Sequence, residues 1–239
     1  MRSWFAATLA AFFAVVALPA RAADPDALWN VVSGQCVPNQ QARQDPGPCV
    51  SVDLAGGYAV LKDQSGATQV LVIATTRITG IESPALLDPA APNYWADAWA
   101  ARHDVEQFAH REIPREDVAL AVNSIYGRSQ DQLHIHVDCI RPDVRDALNT
   151  AIDRIGPKWA PLDVSLAGHR YKAMRIAGED LATPTRSSCW PTAIRPRAPR
   201  WGWRPWCWPA PSSATARPAS SCSATASNLR CTTRPRAKA

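Results

Sequence analysis

Gln132-Leu133-His134-Ile135-His136-Val137, running on into Asp138-Cys139-Ile140-Arg141-Pro142-Asp143, is the stretch whose reading decides the fold. Polar and apolar residues alternate strictly along it, which is the period of a β-strand. Successive side chains point to opposite faces, so Gln132, His134, His136 and Asp138 share one face. Leu133, Ile135, Val137 and Cys139 share the other and point into a core. Two imidazoles on one face of a rigid strand suit a nucleophile with its supporting partner. They equally suit a pair of metal ligands, or a solvated face that carries two histidines by chance. Periodicity alone leaves these open.

Working outward, the preceding strand is Val118-Ala119-Leu120-Ala121-Val122-Asn123, and a turn over Tyr126–Ser129 leads into the histidine strand. After it, Asp143 is placed to cap a helix with Val144, Leu148, Ala151, Ile152 and Ile155 on one face, stopped by Gly156-Pro157. His169–Ile176 reads as a last strand. Upstream, Gly57–Lys62 and Gln69–Ala74 form an antiparallel hairpin around the turn Asp63-Gln64-Ser65-Gly66. Between hairpin and strand, Trp95, Trp99, Arg102, Val105 and Phe108 recur at helical spacing, with Pro92 suited to the first turn and Pro114 beyond the end. The two tryptophans read as core, and His103 and His110 as solvated. A short helix around Leu28–Val32 opens the body, followed by a loop bracketed by Cys36 and Cys49. Hairpins on one sheet with helices packed against it make an α+β domain.

A chain of 239 residues can bury a sizeable core. The net charge of +5 would suggest an anionic partner. All of that excess lies in residues 181–239, which contain no Asp or Glu, so the body is net acidic and nucleic acid is not expected as a partner. At the other end, Arg2, an apolar run from Trp4 to Leu18 and Ala20-Arg21-Ala22 form the pattern of a secretory signal over residues 1–22, or of an uncleaved signal-anchor. Export places the body where disulfides persist, and Cys36 and Cys49 are expected to pair. Cys139 is either a buried thiol or bonded to a partner further along.

The block around the histidines resembles the histidine-triad (HIT) motif, His-φ-His-φ-His-φ. Within that superfamily the chain is most similar to the bacterial CDP-diacylglycerol pyrophosphatases. The similarity is carried by CVPNQQ…PC at 36–49, RITGIESP at 77–84 and GRSQDQLHIHVDCIRPDVR at 127–145. It implies a HIT-like antiparallel sheet with packed helices over residues 24–180. The implied activity is hydrolysis of CDP-diacylglycerol to CMP and phosphatidate in phospholipid metabolism, on the periplasmic side of the inner membrane, at its lipid surface. In the family's pattern His134 is the nucleophile and His136 supports the transferring phosphate. Asn123 and Ser129 orient the nucleophile loop and contact phosphate. Gln132 stands where the general motif has its first histidine, and an amide can hydrogen-bond a phosphate oxygen or leaving group but cannot replace an imidazolium as proton donor. Lys62 and Arg141 are read as exposed charges without a role. The scheme needs no metal or other cofactor; a zinc site would need ligands beyond the two histidines, and only Asp138 is near.

Residues 181–239 depart from this pattern. Half of the tryptophans and four of the seven cysteines fall among repeated Pro, Arg, Ser and Ala, without a sustained apolar period. The composition suggests GC-rich DNA read out of frame from near Thr183–Arg186, giving a disordered tail. Loss of the normal C-terminal part makes an exported nucleotide- or lipid-binding protein without turnover the competing function. A metal-binding module on His134 and His136 is a third and weaker one. Oligomeric state is not legible.

Overall fold

The computed structural model describes residues 24–176 and Leu181. The expected signal segment 1–22, residues 177–180 at the end of the expected domain, and the tail beyond Leu181 lie outside the described residues. Helix α1 (Ala27–Val31) passes through one π turn at Val32–Cys36 into α2 (Val37–Arg43). Strands β1 (Ser51–Asp53), β2 (Tyr58–Lys62) and β3 (Val70–Ala74) follow. Helices α3 (Tyr94–Ala100) and α4 (Arg102–Ala109) come next, then β4 (Val118–Ala121), β5 (His134–Cys139) and α5 (Pro142–Ala151). Two-residue strands β6 (Ala160–Pro161) and β7 (Lys172–Ala173) close the described chain.

The five long strands form one sheet in the order β1-β2-β3-β5-β4, antiparallel at every pairing. The expected α+β architecture is therefore present, with the histidine strand between the hairpin and β4. Its register is set on both sides: Ile73 stands opposite His134, Leu71 opposite His136, and on the far side Ala121 opposite His136 and Ala119 opposite Asp138. One sheet face carries Val60, Val72, Leu120, Ile135 and Val137, in a single core with Tyr94, Trp95, Trp99 and Val105 of α3 and α4 and Val144 and Leu148 of α5. The reading of the tryptophans as core holds, and His103 is exposed, paired only with Glu106 one turn on.

Several expectations change. The segment between the cysteines is a loop only from Gln44 onward: after Pro38 in the first turn, Gln40, Gln41, Ala42 and Arg43 are good helix formers, and Gln44 ends the helix in the left-handed conformation. The helix expected from Pro92 is two, broken at Ala101, and its cap is Asn93, whose side chain accepts from the Ala96 N–H at 3.4 Å. Asp143 is not a cap. Pro142 takes the first helical position, and Asp143 sits in the first turn, paired with Arg141. The last strand shrinks to Lys172–Ala173 in a separate two-stranded sheet, because its partner is Ala160–Pro161 and proline cannot donate to a ladder.

Candidate active site

The second face of the sheet carries Ala59, Leu71, Ile73, His134, His136 and Asp138. Over β2 and β3 it is covered by the α1–α2 segment, where Val32, Cys36 and Cys49 pack on Ala59, Leu71 and Ile73. The Cys36–Cys49 disulfide closes this cover, as expected. Cys139 is also disulfide-bonded, which excludes the buried free thiol; its expected partner further along falls outside the described residues.

The histidine face is not solvated. His134 and His136 are each only 6% exposed, Asp138 1% and Gln132 0%. A buried polar group needs partners, and each of these has them. The His134 Nδ1–H donates to the Gln132 carbonyl at 2.7 Å, which leaves Nε2 as the ring's lone pair. Burial pushes His134 down to about 4, assisted by the charge of His136 and of Arg128, with the Gln132 carbonyl and Asp63 working the other way. His134 is therefore neutral at pH 7. The His136 ring stands edge-on to it, with centroids 4.9 Å apart and planes at 73°. Asn123, just past β4, reaches His136 rather than His134: its Nδ2 lies 3.3 Å from His136 Nε2. The Asp138 carboxylate accepts from the Thr68 hydroxyl at 2.6 Å, and burial raises its pKa despite that bond.

Gln132 precedes the strand proper. Its Nε2 donates to the carbonyls of Ala74 (2.6 Å) and Thr76 (2.8 Å), while its buried Oε1 has no partner. The amide protons are thus committed to the backbone, and the atom left over is an acceptor. Ser129 lies in the exposed loop before the strand, where its carbonyl accepts from Gln130, and the structure brings its hydroxyl to neither histidine. Lys62 is not an exposed charge: it is half-buried, with Nζ on the carbonyls of Asp63 (2.7 Å) and Gly66 (3.0 Å). Arg141 pairs with Asp143. Among the described residues no group of three or more His, Cys, Asp or Glu is arranged to hold a metal ion.

Two of the segments that carried the resemblance meet behind His134. Arg128 is bonded to Glu82 (2.6 Å) and Asp131 (2.9 Å), and a Cβ on Gly80 would come within 2.6 Å of its Nη1. The Gly in Arg-Ile-Thr-Gly-Ile-Glu thus makes room for the guanidinium, and the Glu holds it. The sequence model of the CDP-diacylglycerol pyrophosphatase family matches residues 23–188, more than two thirds of the chain. The chain belongs to this family. It is 45% identical over 164 residues to a CDP-diacylglycerol pyrophosphatase of Yersinia pestis, an alignment covering 69% of this chain and 64% of that relative. The chain therefore matches less than two thirds of the relative's length.

Within this family member, three site residues escape sequence reasoning. Asp63 and Gln69 flank the hairpin turn and meet His136: Gln69 Nε2 is 3.2 Å from its Nδ1, and Asp63 Oδ2 is 3.7 Å from the same atom. Arg128 is the third. Asp63 looks like an ordinary turn residue, and only the β3–β5 register shows that its turn overhangs His136. The Arg128–Glu82 pair had a faint signal, opposite charges in the two segments that carry the resemblance.

Proposed function

We propose that the protein hydrolyses the pyrophosphate bond of CDP-diacylglycerol to CMP and phosphatidate through a nucleotidyl-histidine intermediate. One observation carries the reading: His134 is held neutral, with Nδ1 on a backbone carbonyl and Nε2 bare, which is the state a nitrogen nucleophile needs. The antiparallel sheet with its histidine strand is consistent with a HIT-like fold. In the first displacement Nε2 of His134 attacks the cytidine-side phosphorus, and the bond to the phosphatidate oxygen breaks. In the second, water attacks the same phosphorus, the P–N bond breaks, and CMP leaves. His136 and Asn123, in contact with each other, form the phosphate-side pair. Catalysis of this kind rests on positioning and charge stabilisation. Gln132 contributes as a strut for the 74–76 backbone and as a buried acceptor, and Ser129 reaches phosphate only if its loop folds inward over substrate.

The lipid half would be met at the loop following Asn123, where Ile125 and Tyr126 are 50% and 89% exposed. In this reading the domain works at a lipid surface, and on the exported side of the inner membrane if residues 1–22 act as a secretory signal. A second reading, binding of a nucleotide or lipid without turnover, is favoured by the commitment of Gln132 to the backbone. The deciding experiment is CMP release from CDP-diacylglycerol in mixed micelles by wild type and His134→Ala. Release by wild type that vanishes in the variant, with phosphorus trapped on His134, supports hydrolysis. Saturable binding without CMP selects the second reading.

A further inference from the structure

The side of His136 away from Asn123 is built as carefully as the side that faces it. Asp63 closes the turn between β2 and β3, and each of its carboxylate oxygens has a separate duty. Oδ1 accepts from the Ser65 N–H at 2.9 Å, which fixes the turn, while Oδ2 accepts from Gln69 Nε2 and stands 3.7 Å from His136 Nδ1. The turn is tied further by the Asp63 N–H on the Gln69 carbonyl at 3.1 Å and by Gly66 at a φ of 79°. The Asp63 side chain is 16% exposed and that of His136 7%, so the two meet largely out of water.

We infer that Asp63 is a positioning residue for the reaction, holding the Nδ1 edge of His136 so that its Nε2 edge, beside Asn123, is presented to the transferring phosphate. The inference rests on the reading of His136 as the phosphate-side partner. His136 Nδ1 lies 3.2 Å from Gln69 Nε2 and 3.7 Å from Asp63 Oδ2; with the Gln69 amide bonded to Oδ2, a proton on Nδ1 is directed at the carboxylate and Nε2 is left to accept from the Asn123 amide at 3.3 Å. Orientation of a histidine by a carboxylate on its far nitrogen is the division of labour found wherever an imidazole must work in one defined orientation. The other charged or titratable groups near the ring are His134 and Asp138 on its own strand, Arg128 near His134, and Lys62, whose ammonium sits on the Asp63 and Gly66 carbonyls. None of these supplies a carboxylate to Nδ1; Asp138 is engaged by Thr68. Asp63 is also held ionised: burial raises it, but the nearby His136 ring and the hydrogen bonds from the Ser65 N–H and Gln69 outweigh burial and hold it at about 2.

The test is Asp63→Asn, which keeps an oxygen for the Ser65 N–H and removes the charge. Nitrogen-15 spectra of the His136 ring and kinetics of CMP release are both recorded. The expected result is a redistribution of the His136 ring protons, with kcat lower by about tenfold to a hundredfold and KM little changed, as for other outer partners that orient a histidine. Asp63→Glu should recover part of the loss. Should Asp63→Asn not fold, Asp63→Ser, which keeps a hydroxyl for the Ser65 N–H and removes the carboxylate, should move the same nitrogen signals in the same direction. Ring-nitrogen spectra and kcat both unchanged in folded Asp63→Asn would overturn the inference. If wild type releases no CMP, the functional reading fails, and the nitrogen spectra alone decide: a shift upholds the dyad and identical spectra overturn it.

Discussion

Two halves of one sheet face are buried to the same degree by opposite means. Over β2 and β3, Ala59, Leu71 and Ile73 meet Val32, Cys36 and Cys49, and the contact is apolar throughout and sealed by a disulfide. One strand further on, directly opposite Ile73 and Leu71, stand His134 and His136. Here burial is polar and most of the ring nitrogens, amides and carboxylates are hydrogen-bonded, with His134 Nε2 and the Gln132 Oε1 left open. The apolar half stabilises by removing carbon from water. In the polar half each hydrogen bond offsets a desolvation cost and adds little net stability. A fold gains nothing from two buried imidazoles that two leucines would not supply better, so the difference marks the half kept for chemistry.

The largest expected effect breaks the polar half at its proposed nucleophile. His134→Ala should reduce CMP release by more than about 10⁴-fold, as for removal of other covalent nucleophiles, while stability to urea changes far less. A residual rate within about a hundredfold of wild type would mean that another group attacks the phosphorus.

The apolar half is broken at its staple. Replacing Cys36 and Cys49 together by alanine opens a loop with a sequence separation of 13, worth about 3 kcal/mol of stability. Urea unfolding should show that loss with kcat retained below the new midpoint, because the staple lies over β2 and β3 and not over the histidines. Loss of kcat in fully folded variant would show that the cover and the site are one mechanical unit.

Acid sharpens the comparison, since only the polar half titrates. His134 is lowered from 6.5 to about 4 by burial. Between those values the unfolded chain binds the proton that the folded one refuses, so stability falls as pH drops from 6.5 toward 4, by about 3 kcal/mol. Asp138, raised by burial, works in the opposite direction. Asp63, held at about 2, begins to cost stability only below pH 4. Urea midpoints measured from pH 7 to 4 should decline in wild type and stay nearly flat in His134→Ala over the upper part of that range. Equal slopes would place the acid-sensitive group elsewhere.

Alternation along 132–139 was enough to place both histidines on one face and Leu133, Ile135 and Val137 on the other, and hence to read the sheet and its helices. It could not say what lies over the histidine face, because periodicity reports which residues share a face and not what covers it. Both covers are non-local. The α2 part of that cover, Val37–Arg43, carries Pro38 and Asn39 and reads as a loop between the cysteines, although it is a helix. The Asp63 turn reaches His136 only through the β3–β5 register. Gln132 was legible as a departure from the motif, yet its commitment to the Ala74 and Thr76 carbonyls depends on a neighbouring chain segment more than fifty residues away.

The finest test of the polar half is Asn123→Ala. Asn123 is half-buried and makes one contact of 3.3 Å to His136 Nε2, so its removal should cost under about 1 kcal/mol of stability. For catalysis it removes one neutral donor beside the phosphate-side imidazole, an effect of about tenfold on kcat/KM. A rise in KM would place the amide on the bound phosphate, whereas a fall in kcat would place its action on the ring of His136. The double variant with Asp63→Asn separates these. If both residues act through His136, from its two nitrogens, their effects should be far from additive, since a ring already released on one edge has less to lose on the other. Strict additivity would mean that Asn123 serves the substrate and Asp63 the histidine, and the two sides of the ring would then have independent tasks.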